Sequence, residues 1–160
     1  MYRYTLCFIN RGTELLMINR NKQPEMGVWN GVGGKIEPSE IPEQCVLREV
    51  FEETNIRLEK VSFTGTVTWI NPVKGTSGMH VFLGEVSENY EYSTPVSIDE
   101  GILEWKEISW VLDSNNRGIS NRIQEFLPLM IDGYILDHRY TYDQDGTTFC
   151  YEQVPLNQLA

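Results

Sequence analysis

The segment from Gly31 to Ile56 constrains this chain more than any other. Its second half, Pro42 to Thr54, predicts a helix. Pro42 suits the first helical position, where a missing N–H removes no hydrogen bond. Ile41 is then a poor N-cap, so the start is placed only to within a residue or two. At 100° per residue, Val46, Leu47, Val50, Phe51 and Thr54 fall in an arc of about 140°. Glu49, Glu52 and Glu53 fall in a separate arc of about 100°. The first arc predicts a face buried against another layer. The second brings three carboxylates to one place, since residues three and four apart are neighbours on a helix.

Two readings of the acidic arc compete. It is either a solvated polar face or a site for a hard cation, magnesium or manganese, which carboxylate oxygens suit and which like charges held this close require. Arg48, four residues before Glu52, is placed to hold it by a charge-assisted bond. The preceding loop favours the cation site. Gly31, Gly33 and Gly34 permit close approach of backbone or ligand, Glu40 stands where it can curl back toward the acidic face, and Lys35 adds one positive charge. The loop is not the phosphate-binding GxxxxGK[ST], because no Ser or Thr follows Lys35.

Around this segment the chain alternates strand-like and helix-like stretches. Tyr4–Ile9 and Glu14–Asn19 flank a turn at 11–13 and read as a hairpin. Residues 29–34 hold a short strand. Residues 56–70 read as a strand broken and bulged at Gly65, residues 79–86 as another, 87–98 as a loop and 102–105 as a short strand. Residues 108–112 and 120–130 read as helices, the second amphipathic through Ile123, Phe126, Leu127 and Met130. Residues 134–142 and 147–154 flank a polar turn and form a terminal hairpin. Strands outnumber the interspersed helices, which predicts an α/β mixed sheet covered by helices. The 160 residues fit a single domain, 1–160.

Composition narrows the function classes. The apolar set is 41% and there are 13 glycines, enough to repay chain ordering. No apolar run is long enough to span a membrane, and MYRYTLCFIN lacks the pattern of a secretory leader. Cys7, Cys45 and Cys150 are too scattered for a disulfide scaffold or a zinc knuckle, which points to a reducing, cytoplasmic setting. The net charge of −10 repels long nucleic acid, which needs a basic footprint. A small phosphate ligand delivered with a metal ion remains compatible with it.

Gly34, Glu40, Arg48, Glu49, Val50, Glu52, Glu53 and Ile56 together resemble the box of the Nudix hydrolase family, G-x5-E-x7-R-E-U-x-E-E-x-G-U with U aliphatic. The one departure is Asn55, where the family has glycine. Asparagine tolerates a left-handed helix cap best after glycine. The resemblance implies a Nudix-type α/β/α sandwich with a mixed β-sheet. It also implies hydrolysis, by water, within the phosphate chain of a nucleoside diphosphate linked to another group. Residues 29–37, WNGVGGKIE, together with Phe126–Leu127–Pro128 and the hairpin at 142–146, resemble the MutT-like group. That implies a substrate among nucleoside triphosphates, oxidised purines included, cleaved to monophosphate and pyrophosphate.

The roles implied are these. Glu49, Glu52 and Glu53 ligate magnesium or manganese, with Glu40 and the Gly34 carbonyl auxiliary, and the cation neutralises and orients the phosphates. Arg48 orients Glu52 or a neighbour. The general base is Glu100, before Gly101, or Glu53. Asn30, Trp29, Lys35 and Trp105 are the candidates for holding substrate, each with an ordinary structural alternative as a turn, surface or core residue. His80 and His138 read as structural. The partner is a small nucleotide, with the protein a monomer or homodimer. The alternatives are a nucleotide sugar, a dinucleoside polyphosphate or a pterin triphosphate as substrate, RNA cap removal, which the acidic balance disfavours, and a non-catalytic nucleotide sensor.

Overall fold

The computed structural model describes residues 2–156. The opening hairpin is β1 (Tyr2–Arg11) and β2 (Glu14–Arg20), antiparallel with Ile9 opposite Leu16. The glycine-rich stretch forms two short strands rather than one. β3 (Trp29–Asn30) pairs with β2, and β4 (Val32–Lys35) crosses to pair with β1.

α1 spans Pro42–Thr54, as its pattern predicts. The poor cap at Ile41 is offset by Gln44, whose Oε1 accepts the Ile41 N–H at 3.1 Å. At the other end Asn55 adopts φ 65° and ψ 14°, and its N–H reaches the Phe51 carbonyl. This is the left-handed cap expected of the residue standing in place of glycine.

β5 (Val61–Asn71) and β6 (Gly75–Val86) form a long antiparallel pair whose register shifts between Phe63 and Gly65, the bulge expected there. The stretch read as a loop at 87–98 ends in a further strand. β7 (Val96–Ile98) pairs with β8 (Gly101–Glu107), Ile98 facing Gly101 across a tight turn. α2 (Ile108–Leu112), α3 (Asn121–Ile131), β9 (Leu136–Tyr142) and β10 (Phe149–Pro155) complete the chain.

The strands form one mixed sheet in the order β10-β9-β5-β6-β1-β2-β8-β7, with β3 and β4 attached off this path. The β1–β6 and β5–β9 pairs are parallel and the rest antiparallel. Side chains alternate between its faces. Leu6, Phe8, Leu15, Met17, Val67 and Val81 pack with α2 and α3 on one side. Cys7, Ile9, Leu16, Ile18 and Phe82 pack with Val46 and Val50 of α1 on the other. The architecture is the expected α/β/α sandwich.

The buried side of α1 differs from its sequence pattern in one consequential way. Cys45, Val46, Val50 and Thr54 are buried, whereas Leu47 and Phe51 are only half-buried, and the Arg57 guanidinium lies over the Phe51 ring at 4.1 Å. The inward face is therefore turned toward Glu49 and Glu53. The reason lies in β4. Gly34 carries no side chain, so Glu49 on this edge of α1 settles directly onto its backbone, while Gly33 lets β4 press against the Thr5 and Leu6 backbone of β1.

Candidate active site

The turned helix divides the acidic triplet. Glu49 and Glu53 lie on the sheet-facing arc, and Glu52 lies outside it with its side chain 57% exposed. Arg48 ties the outer part together. Its Nε and Nη2 donate to the two Glu40 oxygens at 2.7 and 2.8 Å, and its Nη1 donates to Glu49 Oε1 at 2.7 Å and to Glu52 Oε2 at 3.3 Å. Its Nη2 also reaches the Lys35 carbonyl at 3.2 Å. Arg48 thus holds the glycine-rich strand, the following loop and the helix in one arrangement. These bonds draw Glu40 down to about 2, Arg48 being the main cause. Glu49 is pushed up by burial, with Arg48 acting against the shift. Its carboxylate lies directly over the Gly34 α-carbon, in the space a Cβ would fill.

Glu53, one turn further along α1, faces a cleft of about 790 Å3 that is also lined by Gly33, Gly34, Lys35, Arg20 and Glu100, a volume suited to a small ligand. Glu100 arrives there on the β7–β8 turn. Asn21 pins that turn, its N–H donating to the Glu100 carbonyl at 3.0 Å and its side-chain amide to the Asp99 carbonyl at 3.1 Å. Arg20 Nη1 stands 4.0 Å from Glu100 Oε2. Burial, followed by the adjacent Glu100 carboxyl, lifts Glu53 well above the ordinary carboxylate range. Two carboxyl groups on separate elements thus face one space, flanked by a glycine backbone.

The donor chemistry fits a hard divalent cation. All candidates are oxygen ligands, and the Glu53–Glu100 pair is a concentration of negative charge that a cation relieves. Among the described residues no three acidic, histidine or cysteine side chains converge closely enough to hold an ion as they stand. Arg48 holds Glu40, Glu49 and Glu52 around one guanidinium. Glu49 and Glu52 bond to Arg48, Glu53 and Glu100 face the cleft, and the Glu49 charge also reaches Glu53.

The expected substrate contacts divide as well. Asn30 and Lys35 line the cleft, and Asn30 Oδ1 accepts the Gly31 N–H at 2.8 Å, leaving its amide donors for other partners. The two tryptophans do not line it. Trp105 is 7% exposed in the core beneath α1. Its Nε1 donates to the Tyr92 carbonyl at 2.9 Å and the Arg11 guanidinium lies 3.9 Å from its ring. Trp29 packs on the α2–α3 side, with Lys106 Nζ 4.4 Å from its ring. The aromatic residues that line the cleft are Tyr4, Trp69 and Tyr142. No spacing in the sequence marks them, because they meet only through the pairing of β1, β5, β6 and β9. His80 is half-buried beside the Tyr2 ring, and His138 is fully buried.

Known proteins resemble this chain in sequence and in fold. The family model described as NUDIX domain matches residues 2–120. Among curated proteins, the NAD-capped RNA hydrolase NudC of Pseudomonas syringae pv. syringae (strain B728a) is 32% identical over 75 residues, which are 47% of this chain and 27% of that protein. The chain thus spans about a quarter of the length of the curated relatives it matches. Among solved structures, the MutT protein from Bacillus halodurans superposes with a TM-score of 0.72 at 25% identity, over 97% of this chain and 99% of that one. The NUDIX domain of Shewanella oneidensis NrtR, solved with ADP ribose, gives 0.63 at 19% identity over 82% and 88%, a likeness of fold alone.

Proposed function

The chain belongs to the NUDIX family, and from that premise we propose that it is a metal-dependent hydrolase cleaving a nucleoside triphosphate, oxidised purines among them, to the monophosphate and pyrophosphate. The observation that carries the reading is that Glu53 of α1 and Glu100 of the β7–β8 turn face one cleft beside the bare backbone of Gly33 and Gly34. Two carboxyl groups held apart from Arg48 are what a water-activating site needs, one as base and one to hold and orient.

A divalent cation, magnesium or manganese, neutralises the phosphates and polarises the bridge under attack when bound. Glu53, Glu49, Glu52 and the Gly34 carbonyl would hold it, with Glu40 acting through Arg48. Glu100 takes the proton of the attacking water, with Glu53 the alternative base. Arg20 and Lys35, both on the cleft, meet phosphate oxygens, and Asn30 offers its amide to the base edge. The 25% identity with a MutT protein over nearly the whole chain favours the triphosphate. The reading includes a cytoplasmic setting, which the free Cys7, Cys45 and Cys150 support.

A second reading has its own support. The 75-residue match to a hydrolase of NAD-capped RNA favours a substrate in which a diphosphate joins two nucleosides. Its acidic charge argues against the RNA itself. A sensor without hydrolysis is disfavoured because every box carboxylate is present.

Purified protein with magnesium, offered oxidised and unmodified purine triphosphates, nucleotide sugars and NAD, tests the proposal. Monophosphate and pyrophosphate should appear from a triphosphate, and only with metal. Release of orthophosphate, or turnover unaffected by chelator, would refute it.

A further inference from the structure

We propose that the β9–β10 hairpin, which lies beyond the residues matched by the family model, forms the specificity wall of the cleft, with the Tyr142 ring receiving the face of the substrate's planar base. The proposal rests on the hydrolase reading only for the opposite, phosphate-binding end. The family match stops at residue 120, yet Tyr142 and Gly146 line the same cleft as Glu53 and Glu100.

The wall is built from two hairpin tips. In the β5–β9 register Trp69 lies opposite Tyr140 and Ile70 opposite Thr141, which brings the Asn71 end of β5 beside Tyr142. The two tips touch, and each is fixed by its own turn. Asn71 Oδ1 accepts the N–H groups of Val73 and Lys74 at 2.9 and 3.0 Å, fixing the β5–β6 turn. Gly146 stands against the Asn71 side chain, where a Cβ would come within 3.1 Å of Oδ1. Asp143 fixes the second turn by accepting the Thr147 N–H at 3.0 Å and the Thr148 hydroxyl at 2.6 Å.

The rings are braced from behind and half-exposed in front. Phe149 supports Tyr142 at a centroid distance of 5.4 Å, and Tyr140 stacks under Trp69 at 6.5 Å and 19°. Both Trp69 and Tyr142 are half-buried, with the cleft on their open side. A ring already held in place loses little freedom when another ring stacks on it. The charges divide along the cleft in the same sense. Glu53 and Glu100 occupy one end, while Trp69, Asn71, Met79 and Tyr142 at the other carry no acidic group, with Lys74 beside them. A neutral, flat heteroaromatic group suits the second end, and a metal-bound phosphate suits the first.

Binding without turnover separates the two ends. The probes are guanosine and adenosine monophosphates against ribose 5-phosphate, titrated by NMR without added metal. Wild type should bind a nucleoside monophosphate at least about tenfold more tightly than the base-free phosphate, the scale of one stacking contact. Tyr142→Leu, which keeps an apolar group against Phe149, should shrink that margin at least about threefold, and Tyr142→Phe should retain it. A wild-type margin under tenfold, or one that Tyr142→Leu leaves within threefold of wild type, overturns the proposal. Turnover measured in parallel keeps the two claims distinct: an intact margin with no hydrolysis of any substrate refutes the hydrolase reading and upholds the wall.

Discussion

Arg48 grips Glu40 at both carboxylate oxygens, Nε to Oε1 at 2.7 Å and Nη2 to Oε2 at 2.8 Å. The fork ties the loop before α1 to the middle of the helix, and the same guanidinium holds Glu49. Glu40 therefore acts by fixing Arg48, and Arg48 in turn fixes Glu49. Glu40 is drawn from 4.5 to about 2. A carboxylate depressed in the folded state stabilises above its unfolded value, and that contribution is lost as pH falls through the folded value. The melting temperature of Glu40→Gln should lie below wild type at neutral pH, and the gap should close between pH 4.5 and about 2. A gap that is constant across that window would refute the charge-assisted role.

Gly34→Ala should strike the site directly, because its Cβ would enter the space occupied by the Glu49 carboxylate. Glu49 must then leave its place over β4 or α1 must lift. Overpacking of this kind costs about 1–3 kcal/mol. Magnesium titration of activity should show a weakened requirement site and at least about tenfold slower turnover. Wild-type metal dependence in a folded Gly34→Ala protein would show that the contact has no functional weight.

Much of this was legible in the chain because it is local. Pro42 and Asn55 bound α1 by their own backbone preferences, and residues 11–13 and 143–146 mark two hairpins. The site was legible only in part. Wheel geometry groups Glu49, Glu52 and Glu53, but which arc faces the sheet depends on β4 having no side chain at Gly34, where Glu49 settles. Trp105 and Trp29 carry the residue type of a base-binding group, yet strand alternation and packing place both outside the cleft. Trp69 and Tyr142 stand far apart along the chain and line it together because β5 and β9 run side by side, a pairing no short motif encodes.

Replacing Asn55 probes the helix cap alone. At φ 65°, Asn55→Gly should leave stability within a few tenths of a kcal/mol or raise it, whereas Asn55→Ala should cost about 1 kcal/mol. Urea melts of the two variants decide it. Equal stabilities would show that the left-handed conformation contributes nothing.

Glu53 carries opposing effects on stability and chemistry. Its raised position means that, without metal, stability is present below the usual 4.5 and is lost as pH rises toward the higher folded value. Glu53→Gln should remove that slope and raise the melting temperature in chelator at neutral pH. Hydrolysis should fall on the order of a hundredfold or more. Glu52→Gln, removing another side chain proposed to hold the cation, should slow hydrolysis at least about tenfold and raise the magnesium needed. Wild-type turnover and metal dependence in Glu52→Gln would remove Glu52 from that set.

His138 is fully buried between α3 and the terminal hairpin, its Nδ1 paired with the Tyr151 hydroxyl at 2.6 Å and its ring 5.9 Å from Phe126. Among the described residues its Nε2 meets no hydrogen-bond partner. Burial lowers it from 6.5 to about 4, with neighbouring Asp137 opposing the shift. The unfolded chain therefore takes up a proton near pH 6.5 that the folded protein refuses until about pH 4. Stability held above 6.5 is lost as pH falls through that interval. Other groups titrate in the same range, His80 among them, since burial lowers it too. The decisive quantity is thus the difference between wild type and His138→Phe in urea melts at pH 7.5, 5.5 and 4.5. The variant loses the Tyr151 partner and should be the less stable at pH 7.5, yet it should lose less stability on acidification, so the two curves converge. Parallel curves would mean that His138 protonates in the folded protein as readily as in the unfolded chain, with the ring reaching water or a compensating acceptor.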